Sequence, residues 1–180
     1  MTQKQIKALS EEITKMAKKD QAARKGNNLD RDKIRLVDDK NRARMKEIVE
    51  KYGYISPSIY GGEVAKSAWL LIQHFPITEV VAMEHYLNLI KENPKGFDKK
   101  TLAIFEDRVL VYKKKPQIYG SQAYCPPNSK IRYFREIADI KNVDQRRREV
   151  GLEPLREYAA GMEADYGGKF ALPDDYVAEE

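Results

Sequence analysis

The stretch QKQIKALSEEITKMAKKDQAAR, residues 3–24, decides the fold class. Its apolar residues Ile6, Leu9, Ile13, Met16 and Ala17 recur at spacings of three and four, which predicts a helix with one buried stripe. Carried forward, the stripe lands on Asp20 and then Arg24 instead of another Leu or Ile. A helix that turns a carboxylate and a guanidinium toward its core side must supply partners for them, because an unpartnered buried charge is costly or changes its ionisation.

Working outward, Gly26-Asn27-Asn28 ends this helix, and a second is predicted from about Asp32 to Tyr52, stopped by Gly53. Its face carries Ile34, Val37, Met45, Ile48, Val49 and Tyr52, and runs back to Asn41 with Asp38 beside it. Two helices joined by a short turn pack antiparallel, so Asp20, Arg24, Asp38 and Asn41 are expected together near one end of the pair. A third helix, EVAKSAWLLIQHF (63–75), stops at Pro76. On it Glu63, Ser67, Leu70 and His74 share a face bordering the apolar arc of Val64, Ala68, Leu71 and Phe75, while Gln73 lies on the other polar side, next to Trp69. Thr78 is the expected cap of a fourth helix reaching Glu92, with His85 on its surface side. Asp98 caps a fifth, TLAIFEDRVLVY (101–112), apolar around most of its circumference, so Asp107 and Arg108 have no evident wet face.

From Pro116 the composition changes. QIYGSQAY and KIRYFREI, separated by CPPNS, predict a small β-hairpin near residues 117–136. One or two short helices follow, broken at Gly151 and restarted by Pro154 at a first helical position. The expected fold is mainly α: a single helical domain over residues 1–165, of five to seven helices with the hairpin inserted, and a loose acidic tail over 166–180. A chain of 180 residues with 42% hydrophobic and 9% aromatic content holds enough apolar material for a core, which argues against wholesale disorder. The single cysteine, Cys125, excludes an internal disulfide and any multi-cysteine zinc site. The N-terminus lacks the apolar core and cleavage site of a secretory signal, which leads to the expectation of a cytoplasmic protein without a membrane partner.

Among the misplaced polar groups, His74 is the natural proton-transfer residue, with Asp20 or Asp107 orienting it. Arg24 and Arg108 are forks for an anionic group, and Asn41, Gln73, Gln117, Tyr119 and Gln122 are candidate pocket-lining residues. No GxxxxGK[ST], GxGxxG, GxSxG or HExxH occurs, so nucleotide-triphosphate, dinucleotide, serine-hydrolase and zincin mechanisms lack their usual signatures. No cofactor and no metal are expected; a metal on Asp20, Asp38 and His74 is the lesser alternative.

DQAAR (20–24), DDKNRARMKEIVEKYG (38–53), AWLLIQH (68–74), EDRVLVYKKKPQIYGSQ (106–122) and VDQRRREVGLEPLREY (143–158) stand in an order and spacing that resembles a bacterial domain-of-unknown-function family, number 6624. The resemblance spans about residues 5–160 and implies a mostly helical domain without an assigned activity. It puts Asp20, Gln21, Arg24, Asn41, Gln73, His74, Asp107, Arg108, Gln117, Tyr119, Gly120 and Gln122 on motif positions, with Asp144, Arg146, Arg147 and Gly151. The chain departs from the family where Phe75-Pro76 follow His74, where Tyr54 replaces a tryptophan, and in EIADIKN (136–142).

Three function classes follow in this order. The first is a hydrolase or transferase acting on a phosphate-bearing or amide substrate through a His general acid/base and Arg anion clamps. The second is a non-enzymatic peptide- or protein-binding module whose buried polar network is structural. The third is nucleic-acid binding through Lys113 to Lys115 and Arg146 to Arg148, with Tyr119, Tyr124 and Tyr133 nearby, which 33 basic against 28 acidic residues permit without requiring.

Overall fold

A computed structural model of the chain describes residues 1–25 and 30–178. The turn expected at Gly26 to Asn28 lies outside the described residues, as do the last two positions of the expected tail. The protein is mainly helical with a small three-stranded sheet, and it divides into two compact units, Met1–Phe97 and Asp98–Glu180.

In the first unit, helices α1 (Gln3–Ala23) and α2 (Arg31–Tyr52) lie side by side, and both pack on α4 (Gly62–Gln73). Thr2 opens α1 with a capping box, its side chain accepting from the Gln5 N–H while the Gln5 side chain accepts from the Thr2 N–H. Asp30 caps α2, and Gly53, at φ 71°, ends it. The register of the pair is pinned at two places: Arg44 clamps both oxygens of Glu12, and Arg24 reaches Asp38, so the chain directions are opposed. Ile13, Met45 and Ile48 are fully buried beneath these pairs, and burying each such side chain stabilises by about 1.5–3 kcal/mol. Tyr54-Ile55-Ser56, expected as loop with the residues after it, leads into one short helix, α3 (Pro57–Tyr60).

Where Thr78 was expected to cap a helix, Ile77–Glu79 instead forms a 3₁₀ turn and α5 runs Val80–Glu92. The cause is Pro76, whose extended backbone turns the chain in and whose carbonyl accepts from the Glu79 N–H at 2.8 Å. His85 is exposed, as its position off the apolar stripe implies.

The second unit begins with α6 (Lys99–Tyr112), capped by Asp98 through the Thr101 N–H. No residue from Thr101 to Lys113 is exposed, as the apolar circumference of this helix requires. The predicted hairpin is present: β1 (Ala123–Tyr124) pairs antiparallel with β2 (Ile131–Phe134). After α7 (Val143–Glu149) and α8 (Leu155–Tyr166) comes β3 (Lys169–Ala171), which pairs parallel to β2 within the segment expected as a loose tail. Gly168 permits this approach, since at φ +83° an added Cβ would stand 2.5 Å from the Lys130 carbonyl oxygen. Glu163 accepts from the Phe170 N–H, and the Tyr176 hydroxyl donates to Asp144, so the end of the described chain is tied to α7 and α8. Phe134, Val143, Leu155, Ala159 and Phe170 form the core of this unit.

Among the described residues, no helix is long and apolar enough to cross a membrane.

Candidate functional site

The continuation of the α1 stripe produces the site in the first unit. Asp20 follows Ala17 on the buried face, and its side chain is only 1% exposed. His74 closes α4 as its C-terminal cap residue and places Nδ1 3.1 Å from Asp20 Oδ1. Arg24, one turn beyond Asp20, donates to the same oxygen at 2.7 Å and to Asp38 Oδ1 at 2.5 Å. Gln21 donates to Asp20 Oδ2 at 2.9 Å, so both carboxylate oxygens are engaged. His74, Arg24 and Asp38 keep 19%, 23% and 24% of their side-chain surfaces in solvent, so the group opens outward from a buried acid.

Burial alone pushes the Asp20 carboxyl up, but the His74 hydrogen bond and charge, then Gln21 and Arg24, outweigh it and hold it below its ordinary 3.8. Asp20 is therefore ionised at neutral pH and can only accept, so the nitrogen facing it, Nδ1, carries the hydrogen. That leaves Nε2 of the neutral ring as the basic nitrogen. Two carboxylates face one guanidinium, so a proton taken up by His74 makes the four-residue group neutral.

The Asp20 shift has a definite sign for stability. Because its value in the folded state is lowered, its contribution is present above the unfolded value of about 3.8 and is lost as pH falls through the folded value. Asp20→Asn is accordingly expected to be less stable than the parent chain at pH 7. Urea unfolding at stepped pH should show the gap narrowing in acid; a gap of constant size would mean that the charge of Asp20 does not stabilise the fold.

Asn41 lies three residues after Asp38 on the same face of α2 and is buried, and its Nδ2 has no hydrogen-bond partner among the described residues. Gln73 is buried at the last helical position of α4. Ligand atoms of Asp20, Asp38 and His74 lie within 4.8 Å of one another, so these three residues could hold a metal ion. Arg24 already spans the two carboxylates, so a divalent ion there would have to displace a guanidinium that balances the same charge.

The remaining predicted residues belong to the second unit, where polar groups hold backbone. Asp107, fully buried on α6, accepts from the Ile118 and Tyr119 N–H groups on Oδ1 and from the Ser121 N–H on Oδ2. Burial pushes its carboxyl above the usual carboxylate value, against the pull of these donors. Gln117, also fully buried, donates to the Gln122 and Arg135 carbonyls and accepts from the Gln122 N–H. The Gln122 side chain turns to Ser121 Oγ. Tyr119 offers its carbonyl to Arg147, and burial raises its phenol. Arg108 sits partly buried on α6, where burial pulls its guanidinium below the ordinary value.

Arg146 bonds the Ile118, Ala138 and Asp139 carbonyls, and Arg147 bonds those of Glu153 and Tyr119. Asp144 accepts from the Leu155 N–H at the start of α8. Reading spacing alone missed these roles, since a side chain that satisfies distant backbone leaves no period in the sequence. The one available signal was the presence of polar residues on apolar faces.

A family model described as a family of unknown function, DUF6624, matches residues 7–171. No curated protein and no solved structure matches the chain.

Proposed function

The chain belongs to this family of unknown function, and on the geometry of its first unit we propose that it is an enzyme, a hydrolase or transferase acting on an anionic phosphate ester or an amide. The observation that carries this reading is the buried Asp20 carboxylate shared between His74 Nδ1 and Arg24. Asp20 orients the imidazole and offsets the charge of the imidazolium. His74 Nε2 takes a proton from water or a substrate hydroxyl and returns it to the leaving group. Arg24 holds the two carboxylates apart and supplies positive charge beside them. Asn41 Nδ2, lacking an acceptor among the described residues, is the donor suited to an oxygen that gains charge in the transition state.

Turnover of a panel of phosphate monoesters, carboxylic esters and amides, with and without a chelator, tests this reading with the parent chain and His74→Ala side by side. The reading requires at least one class to be turned over and that turnover to depend on His74. Turnover that is indifferent to His74→Ala, or none across the panel, would remove it; loss with chelator would shift the role of the cluster to a metal.

A second reading, a peptide- or protein-binding module, is supported by one feature of the same unit. An apolar cavity of about 300 Å³ lined by Met45, Val49, Ile72, Phe75, Ala82 and Tyr86 runs alongside α2, α4 and α5. It predicts binding that is insensitive to His74→Ala.

A further inference from the structure

A second cavity, of about 420 Å³, runs between α1 and α4. Its floor is Trp69 with Leu70 and Ala17, Ala22 lies at its edge, and its rim carries Lys18, Lys25 and Lys66 against a single acid, Glu63. Trp69 is only 8% exposed, yet its indole N–H has no acceptor among the described residues. A buried donor of this kind calls for an acceptor that the described protein residues do not supply. The Ser67 and Thr14 hydroxyls on the walls are turned back onto their own helices, donating to the Glu63 and Ser10 carbonyls, so the charged recognition falls to the lysines. At one end Gln21 lines the cavity and its amide donates to Asp20 Oδ2. On α4 the Ser67 and Leu70 face continues one turn to His74.

We propose that the α1/α4 groove binds a small aromatic or planar anion, its flat apolar part on Trp69 and Leu70 and its charge among Lys18, Lys25 and Lys66, and that this groove is the recognition subsite for the substrate of the Asp20/His74 pair. The apolar floor selects the flat group, the excess of lysines selects the charge, and the Gln21 contact joins the groove to the catalytic acid. This proposal rests on the enzymatic reading for the word substrate, though the binding itself does not.

Trp69 is the only tryptophan of the chain, so its emission reports the groove without any label. The probe is 4-nitrophenylphosphonate, an aromatic dianion whose P–C bond is not hydrolysed and whose nitro group quenches indole fluorescence. Inorganic phosphate and neutral 4-nitrobenzyl alcohol are the controls. Saturable quenching by the phosphonate is expected, weakened about tenfold or more by Lys18→Glu/Lys66→Glu and by added salt, and unchanged in His74→Ala. Each altered lysine is exposed, so the variant retains the fold.

Equal quenching by the neutral alcohol, equal affinity for inorganic phosphate, an unaltered constant in the lysine variant, or no saturation would each overturn the proposal. Failure of the groove leaves His74-dependent turnover in place. Failure of the enzymatic reading leaves binding in place, so the two outcomes are distinguishable.

Discussion

Asp107→Ala is expected to destabilise the protein by about 3–5 kcal/mol, because three buried backbone donors lose their acceptor at once. The Ile118, Tyr119 and Ser121 N–H groups converge on one carboxylate that has no exposure to solvent, so water does not substitute. The loop has no slack to find other acceptors. Gly120 sits at φ +70° with Ile137 and Leu155 so close that an added Cβ would meet both within 3 Å. Arg146 and Arg147 fix the Ile118 and Tyr119 carbonyls on the other side. Asp107→Asn keeps one accepting oxygen for Ile118 and Tyr119 but sets an amide NH₂ against the Ser121 N–H, so its cost should be intermediate. Set against a typical total stability of about 5–15 kcal/mol, the alanine variant should be marginal, with a urea midpoint far below that of the parent chain. A loss below about 1 kcal/mol would mean that the loop holds its shape without the carboxylate.

His74→Ala is expected to lower turnover by about 10²–10⁴, the usual contribution of a positioned general acid or base. Stability should fall by about 1–3 kcal/mol as well, because Asp20, with its side chain 1% exposed, loses a hydrogen-bond partner. Asp20→Asn should fall in a similar range of activity loss for a different reason. An asparagine at this position keeps an accepting oxygen for Arg24 and Nδ1 but lacks the negative charge that offsets the imidazolium, so the base is weakened. The double variant should then be scarcely worse than either single one, since the two residues act as a unit. Additive losses would mean that Asp20 and His74 work independently.

The helices were legible because their apolar residues repeat at three and four, and so was the placement of Asp20, Arg24, Asp38 and Asn41 on facing sides of an antiparallel pair. An acid beside His74 was expected from chemistry, with Asp20 or Asp107 as the candidates; spacing does not choose between them, because the choice depends on how α4 packs on the α1/α2 pair. β3 escaped notice because three residues are too few to show alternation and its pairing is decided by Gly168, Glu163 and the Lys130 carbonyl. Asp107 and Gln117 were recognised as misplaced polar residues, but their partners are backbone groups 5 to 18 positions away, which carry no side-chain signature. The groove over Trp69 was invisible for a similar reason: Lys18, Lys25 and Lys66 look like ordinary surface charge until α1 is laid against α4.

The protonation of His74 tests the central claim most directly, and it needs no substrate. Long-range ¹H–¹⁵N correlation spectra of uniformly labelled protein distinguish the two ring nitrogens, and with only two histidines in the chain a His85→Gln sample assigns the signals. At a pH where the ring is neutral, the pairing with Asp20 predicts that Nδ1 of His74 carries the hydrogen and Nε2 is bare, and that Asp20→Ala, which removes the acceptor, lowers the share of rings protonated on Nδ1. A His74 ring protonated on Nε2 in the parent chain, indifferent to Asp20→Ala, would contradict the pairing and with it the assignment of His74 as the base.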